Sequence, residues 1–197
     1  MPTHTKWLRA AGALVLTLVL VTVCSNRARA GEFERIRVES AVLHSVMAKT
    51  LDRSATFRRL VEQVEQSDVI VYLTCERFDV STLSGRTALT AAQPGVRYLR
   101  VQIDCQQRDQ PLAAILAHEL QHVVEIASAA SVVDRRSFAR LFSDIGFAIC
   151  RSASSEQYET MAALHAGERV RREWMTHSDL NAQASDRADR RASARAD

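Results

Sequence analysis

His118-Glu119-Leu120-Gln121-His122 carries the residue types that metal-assisted hydrolysis needs. Two histidines at i and i+4 project from one face of a helix, so both imidazoles can reach one ion. Zinc accepts neutral imidazole nitrogen, and a catalytic zinc takes about three protein ligands and keeps one position for water. The glutamate beside the first histidine then stands where it can accept a proton from that water. The competing reading is an amphipathic helix with two polar-face histidines and a solvated glutamate, and the surrounding sequence has to decide between them.

The helix itself is well marked. Pro111 suits a first turn, with Asp109 or Gln110 as the cap before it. Leu112, Ile115, Leu116, Leu120, Val123, Val124 and Ile126 recur at helical spacing, and no Gly or Pro interrupts them through Ala130. A helix so apolar carries His118, Glu119, His122 and Glu125 into surroundings where polar groups need partners. One ion would satisfy both histidines. Glu125, three residues past His122 and on the same face, reads either as an acceptor for a ligand imidazole N–H or as a polar edge residue.

The motif resembles that of the zincin metallopeptidase superfamily. One zincin group, the metzincins, continues H-E-x-x-H-x-x-G-x-x-H; here Glu125 stands at the glycine and Ser128 at the third histidine, which sets that group aside. The gluzincins take a glutamate from a later helix. The segment Ser154–Arg172 predicts such a helix, capped by Ser154 or Ser155, with Tyr158, Met161, Ala162, Leu164 and Val170 as apolar positions. Within it, Glu159-Thr160-Met161-Ala162-Ala163 is similar to the E-x-x-A-D signature of the integral-membrane and periplasmic peptidases of the HtpX type.

That resemblance implies one Zn²⁺ held by His118, His122 and Glu159, with Glu119 as the general base that activates a water, and a peptide or protein as substrate. It also implies that the small Ala162 lets the two helices approach. Ala163 stands where that branch has an aspartate that supports a histidine. Glu156, three residues before Glu159, is the alternative third ligand. His165 reads as a surface residue, and His44 and His177 have no motif around them. Nothing in the spacing of Tyr72, Tyr98 and Tyr158 selects one of them to stabilise an oxyanion.

The elements that must position these groups follow. From Arg37 to Gln66 the pattern is mostly helical, broken near Asp52-Arg53-Ser54, with Ser54 or Thr56 as a second cap. Val69–Cys75 is a β-branched run of strand length, Gly85–Thr90 a second strand and Val96–Asp104 a third, with a turn signal at Gln93-Pro94-Gly95. The expectation is an α+β, mostly helical zincin-like domain over residues 31–175. A small antiparallel sheet of about three strands would precede the H-E-x-x-H helix. Val96–Asp104 is the candidate edge along which a peptide would add as a strand. Asp134–Phe147 predicts a further helix with Phe138, Leu141, Phe142 and Ile145 turned inward. From Thr176 the chain is Ala, Arg, Asp, Ser and Asn with almost nothing apolar, the composition of a disordered tail or at best a frayed helix.

At the N-terminus, Lys6 and Arg9 precede an apolar run from Ala10 to Val23, and Ala28-Arg29-Ala30 is an A-x-A cleavage pattern. This is the layout of a secretory signal peptide over residues 1–30, cleaved after Ala30, which places the protein outside the cell or in the periplasm. An uncleaved anchor is the alternative, although the run is short for a membrane span; a lipoprotein at Cys24 ranks third, because Val23 before it is bulky. In an oxidising compartment Cys75 and Cys105, each ending a strand-like run, are the preferred disulfide pair, with Cys150 left over. Without Lys6, Arg9, Arg27 and Arg29 the formal charge of +3 falls close to neutral, and no basic run with interleaved aromatics argues for nucleic acid. The alternative to an enzyme is a non-catalytic secreted module that binds zinc or a partner on a degenerate zincin fold. Glu119 separates the two, because binding zinc does not need it and activating water does.

Overall fold

The computed structural model describes residues 33–79, 83–151 and 156–193. The signal-peptide segment, its cleavage site and Cys24 lie outside them. The elements in chain order are β1 (Ile36–Val38), α1 (Ala41–Arg53), α2 (Ala55–Glu65), β2 (Val69–Cys75), β3 (Gly85–Gln93), β4 (Val96–Ile103), α3 (Asp109–Ser128), α4 (Arg135–Ile145), β5 (Phe147–Arg151), β6 (Glu156–Glu159) and α5 (Met161–Ser193). The class is α+β.

The sheet differs from the expected three antiparallel strands. Four strands run in the order β1-β2-β4-β3, with β1, β2 and β4 parallel and only β3 antiparallel to β4. Parallel neighbours need a long crossover, and α1 with α2 supplies it between β1 and β2. Strand β1 lies in a stretch that reads as mostly helical. It is three residues long, and the Glu65 carboxylate at the end of α2 accepts from the N–H groups of Glu34, Arg35 and Ile36 at 3.0–3.2 Å. The edge beside α3 is β3; β4, the expected edge, lies inside between β2 and β3.

The core sits where the sheet meets α1, α2, α3 and α5. Val69, Val71 and Leu73 alternate inward from β2, and Leu99, Val101 and Ile103 from β4. Leu112, Leu116, Leu120, Val123 and Ile126 bury the inner face of α3. Its first residue is Asp109, with Pro111 inside the first turn and Arg108 as the cap position. Its far end is fixed by Arg97 of β4, a buried guanidinium that donates to the carbonyls of Ile126, Ala127 and Ala129 at 2.7–3.0 Å and pairs with Asp68 at 2.6 Å. Those carbonyls are the ones a helix C-terminus leaves unpaired, so the contact both satisfies them and neutralises the negative end of the helix. Ser54 ends α1 and caps α2, accepting from Phe57 N–H at 2.9 Å. Cys75 and Cys105 form a disulfide, with Cα atoms 5.5 Å apart.

The last third of the chain holds the larger corrections. Asp134 and Ser137 form a capping box, and α4 stops at Ile145 with Gly146 as its C-cap. Of its expected inward residues only Phe142 is buried, and Ile145 is 47% exposed. The segment expected to begin a helix at Ser154 instead carries β6, which pairs antiparallel with β5. The cap of α5 is Thr160, whose Oγ accepts from Ala163 N–H at 3.1 Å. The buried face of α5 is Ala163, Ala166, Val170 and Trp174, while Ala162 is exposed; Ala163, Ala166 and Gly167 are the small residues along α3. Helical backbone continues to Ser193, across the stretch read as a disordered tail or at best a frayed helix. Alanine and arginine have high intrinsic helix propensity, which favours helical backbone there. No helix among the described residues is long and apolar enough to cross a membrane.

Candidate metal centre

Helix α3 places His118 and His122 one turn apart on the face that looks toward the end of β6. Their rings are 4.9 Å apart and nearly perpendicular. Glu159, the last residue of β6, completes the group. Its Oε2 lies 3.2 Å from His118 Nε2 and its Oε1 3.3 Å from His122 Nε2. Ligand atoms of the three residues all lie within 4.8 Å of one another, so the cluster could hold one metal ion. Glu156, the other candidate, begins the same strand, paired with Arg151 in the register.

Glu159 is held from several sides. Its Oε1 accepts from Thr160 N–H at 2.8 Å. The chain reaches that point through a close approach at Gly146, where a Cβ would lie 2.6 Å from the Glu159 carbonyl oxygen and 2.8 Å from that of Phe142. Any larger residue would push β6 away from α4. Burial alone would raise the Glu159 pKa, but hydrogen bonds from His118 and His122 outweigh it and hold the carboxyl at about 2.

Glu125 belongs to the same network. Its Oε2 is 2.9 Å from His122 Nδ1, and its Oε1 accepts from Thr160 Oγ at 2.7 Å. Thr160 therefore joins the two sides of the site: it caps α5, follows Glu159 and fixes the carboxylate that orients His122. The position that carries an aspartate in the resembled signature is Ala163, fully buried against the neighbouring helices. The carboxylate on the histidine comes instead from α3 itself. Burial lowers the tendency of His122 to carry charge, but hydrogen bonds to Glu125 and Glu159 reverse that and raise its pKa to about 9. A metal at this cluster would compete with a proton for the His122 ring.

Glu119 is only 5% exposed. Thr87 Oγ of β3 donates to its Oε2 at 2.7 Å, and its Oε1 has no hydrogen-bond partner among the described residues. Gly85 makes room for it: a Cβ there would lie 2.9 Å from both Cδ and Cγ of Glu119 and closer still to Oε1. Burial pushes the Glu119 pKa up, opposed by the charges of His122 and His118 and by the Thr87 hydrogen bond.

The cluster opens into a cleft of about 240 Å³ lined by β3, α3, α4 and the β5–β6 hairpin. Phe142 lies edge-on to His122 with ring centroids 5.3 Å apart, and Phe138 lies 4.9 Å from Phe142. His165 is exposed and lines the groove on the other side of the cluster, with Glu168 and Arg171. Sequence reasoning does not single out Thr87, Gly85 or Thr160. Only Thr160 carries a signal, a hydroxyl residue three positions before Ala163 at the head of a helical run. Set against protein-family models, curated proteins and solved structures, the chain matches none of them.

Proposed function

We propose that the protein is a zinc-dependent hydrolase, and a peptidase by preference, with His118, His122 and Glu159 as metal ligands and Glu119 as general base. The observation that carries this reading is the convergence of the three donor groups with a buried carboxylate beside them at the floor of an open cleft. Zinc bonded at 2.0–2.1 Å to tetrahedral donors has donor–donor edges of about 3.3 Å. Glu159 approaches that spacing with a different oxygen for each histidine, Oε2 at 3.2 Å from His118 and Oε1 at 3.3 Å from His122, and one atom from each residue can be chosen with all three within 4.8 Å of one another. Two imidazoles and a carboxylate also form a donor set that leaves one position for water.

When bound, zinc supplies Lewis acidity, lowering the pKa of a water and polarising a carbonyl. The protein's own part begins with Glu119. Thr87 holds its Oε2, so Oε1 is the oxygen that takes the proton from water and later returns it to the leaving amine. Burial raises its pKa and makes it a stronger base than a surface glutamate. Glu125, steadied by Thr160, orients His122. Peptide as substrate is supported by the edge strand: Gly85, Arg86 and Thr87 of β3 line the cleft, and an extended chain can hydrogen-bond along such an edge.

Glu119→Gln tests the assignment. It should keep zinc and lower hydrolysis of a protein substrate by about 10²–10⁴-fold. Full hydrolysis by that variant would remove Glu119 from the mechanism. Zinc retained with no hydrolysis by the wild type would leave a zinc-binding module.

A further inference from the structure

The cleft carries an aromatic wall beside the proposed metal ligands. That wall is Phe138 and Phe142 of α4, while Leu83 and Ile149 line both the cleft and the adjoining groove. The two rings pack at 4.9 Å, and Phe142 touches His122, so the apolar wall starts at a proposed metal ligand. The adjoining groove runs past Ala114, Ile115 and Leu164 to His165, Glu168 and Arg171, where Arg171 pairs with Glu168 at 2.9 Å. The apolar wall is not spent on the core: Phe138 is half-buried, and Phe147 and Ile149 of the adjoining strand are 43% and 56% exposed. An apolar recess with a few polar groups converging at its floor is the form of a small-ligand pocket.

Resting on the hydrolase reading of this site, we propose that the protein selects peptides with a large apolar side chain, aromatic or leucine-like, beside the cleaved bond, seated against Phe138 and Phe142. The edge of β3 argues for an extended peptide as the occupant. As an end strand of the sheet, β3 can hydrogen-bond an added strand along the cleft, and an added strand turns every second side chain to the same face. The cleft, about 240 Å³, has room for side chains and not for a folded partner. Two aromatic rings meeting at 4.9 Å favour a ring or a branched aliphatic group laid against them over a charged one. Selection then comes from area removed from water against the two rings.

The test uses the full chain loaded with zinc and a random peptide library, with cleavage sites read by mass spectrometry. Phe, Tyr, Leu, Met or Ile should be enriched at one position flanking the bond, on the order of tenfold over Ser or Asp. Phe138→Asp should retain zinc and lose that enrichment. Cleavage with no preference at either flanking position, or a preference unchanged in Phe138→Asp, overturns the proposal and leaves the hydrolase reading standing. A second measurement does not depend on turnover. A hydroxamate bearing a benzyl side chain should bind the zinc-loaded protein on the order of tenfold tighter than one bearing hydrogen there, with the advantage lost in Phe138→Asp. Equal affinities overturn the proposal. A protein that holds zinc yet cleaves no peptide and binds neither hydroxamate overturns the hydrolase reading and this proposal together.

Discussion

Helix α3 and the β5–β6 hairpin meet at the same cluster of donor atoms, yet only the helix is embedded in the core. Leu112, Leu116, Leu120 and Val123 bury α3 against the sheet and its neighbouring helices, and Arg97 ties down its end. The hairpin has Phe147 and Ile149 exposed, and α4 beside it buries only Phe142. His118, Glu119 and His122 are therefore placed by folding itself. Glu159 is placed by a four-residue strand, a glycine contact at Gly146 and the cap at Thr160. A metal bound between the two would cross-link the outer half to the core.

The largest effects are expected from removing one proposed ligand from each half. His122→Ala and Glu159→Ala should both fall well below wild-type zinc occupancy in elemental analysis. Hydrogen exchange should separate them from the metal-loaded wild type in one place only: faster exchange at residues 156–159, with the inner amides of α3 unchanged. Unchanged zinc in Glu159→Ala would move the third ligand elsewhere, with Glu156 next in line. Gly85→Ala probes the core half without touching a ligand. The added methyl displaces the Glu119 carboxylate, so kcat should drop by on the order of 10²-fold while zinc is retained. A variant with wild-type kcat would mean that Glu119 has no need of its present position.

Smaller effects are expected where the halves are stitched together. Glu125→Gln and Thr160→Val should each weaken metal binding or activity by about 10–100-fold, measurable by competition with a chelating dye. If Thr160→Val behaves as wild type while Glu125→Gln does not, the hydroxyl serves only as a helix cap. The smallest effect concerns pH. With His122 raised to about 9, its pairing stabilises the metal-free protein fully below its ordinary value near 6.5, and that contribution is lost as pH rises through about 9. With Glu159 lowered to about 2, its contribution is present above its ordinary value near 4.5 and lost as pH falls through about 2. The thermal midpoint of metal-free protein should therefore fall above neutral pH, and added zinc should abolish that fall. A midpoint flat from pH 6 to 10 without metal would contradict the assigned pairing.

The same contrast explains what the sequence makes legible. A twenty-residue amphipathic helix repeats its period several times, so α3 and the face shared by His118 and His122 can be read directly. Strand β2 is as plain, a β-branched run of strand length, but β4 is less so, because its buried positions are Arg97, Leu99, Val101 and Ile103 while Val96 and Tyr98 face the other way. The strand carrying Glu159 is too short for any period to show, and Tyr158, Met161 and Leu164 imitate a helical face that the real helix does not bury. Strand β1 depends on the Glu65 carboxylate some thirty residues away, which no local pattern encodes. Parallel pairing and the place of β3 at the edge are likewise decided by crossovers, not by the strands' own residues. Around the candidate site, the Thr87 contact to Glu119 and the gap at Gly85 arise only when β3 and α3 are brought together.

Metal content of the protein, wild type against His118→Ala, probes the metal centre itself. Close to one zinc per chain is expected in the wild type, surviving dialysis, and little in the variant. No metal in either after zinc is supplied would contradict this and leave the His118–Glu159 and His122–Glu159 contacts as polar contacts between two halves of a fold.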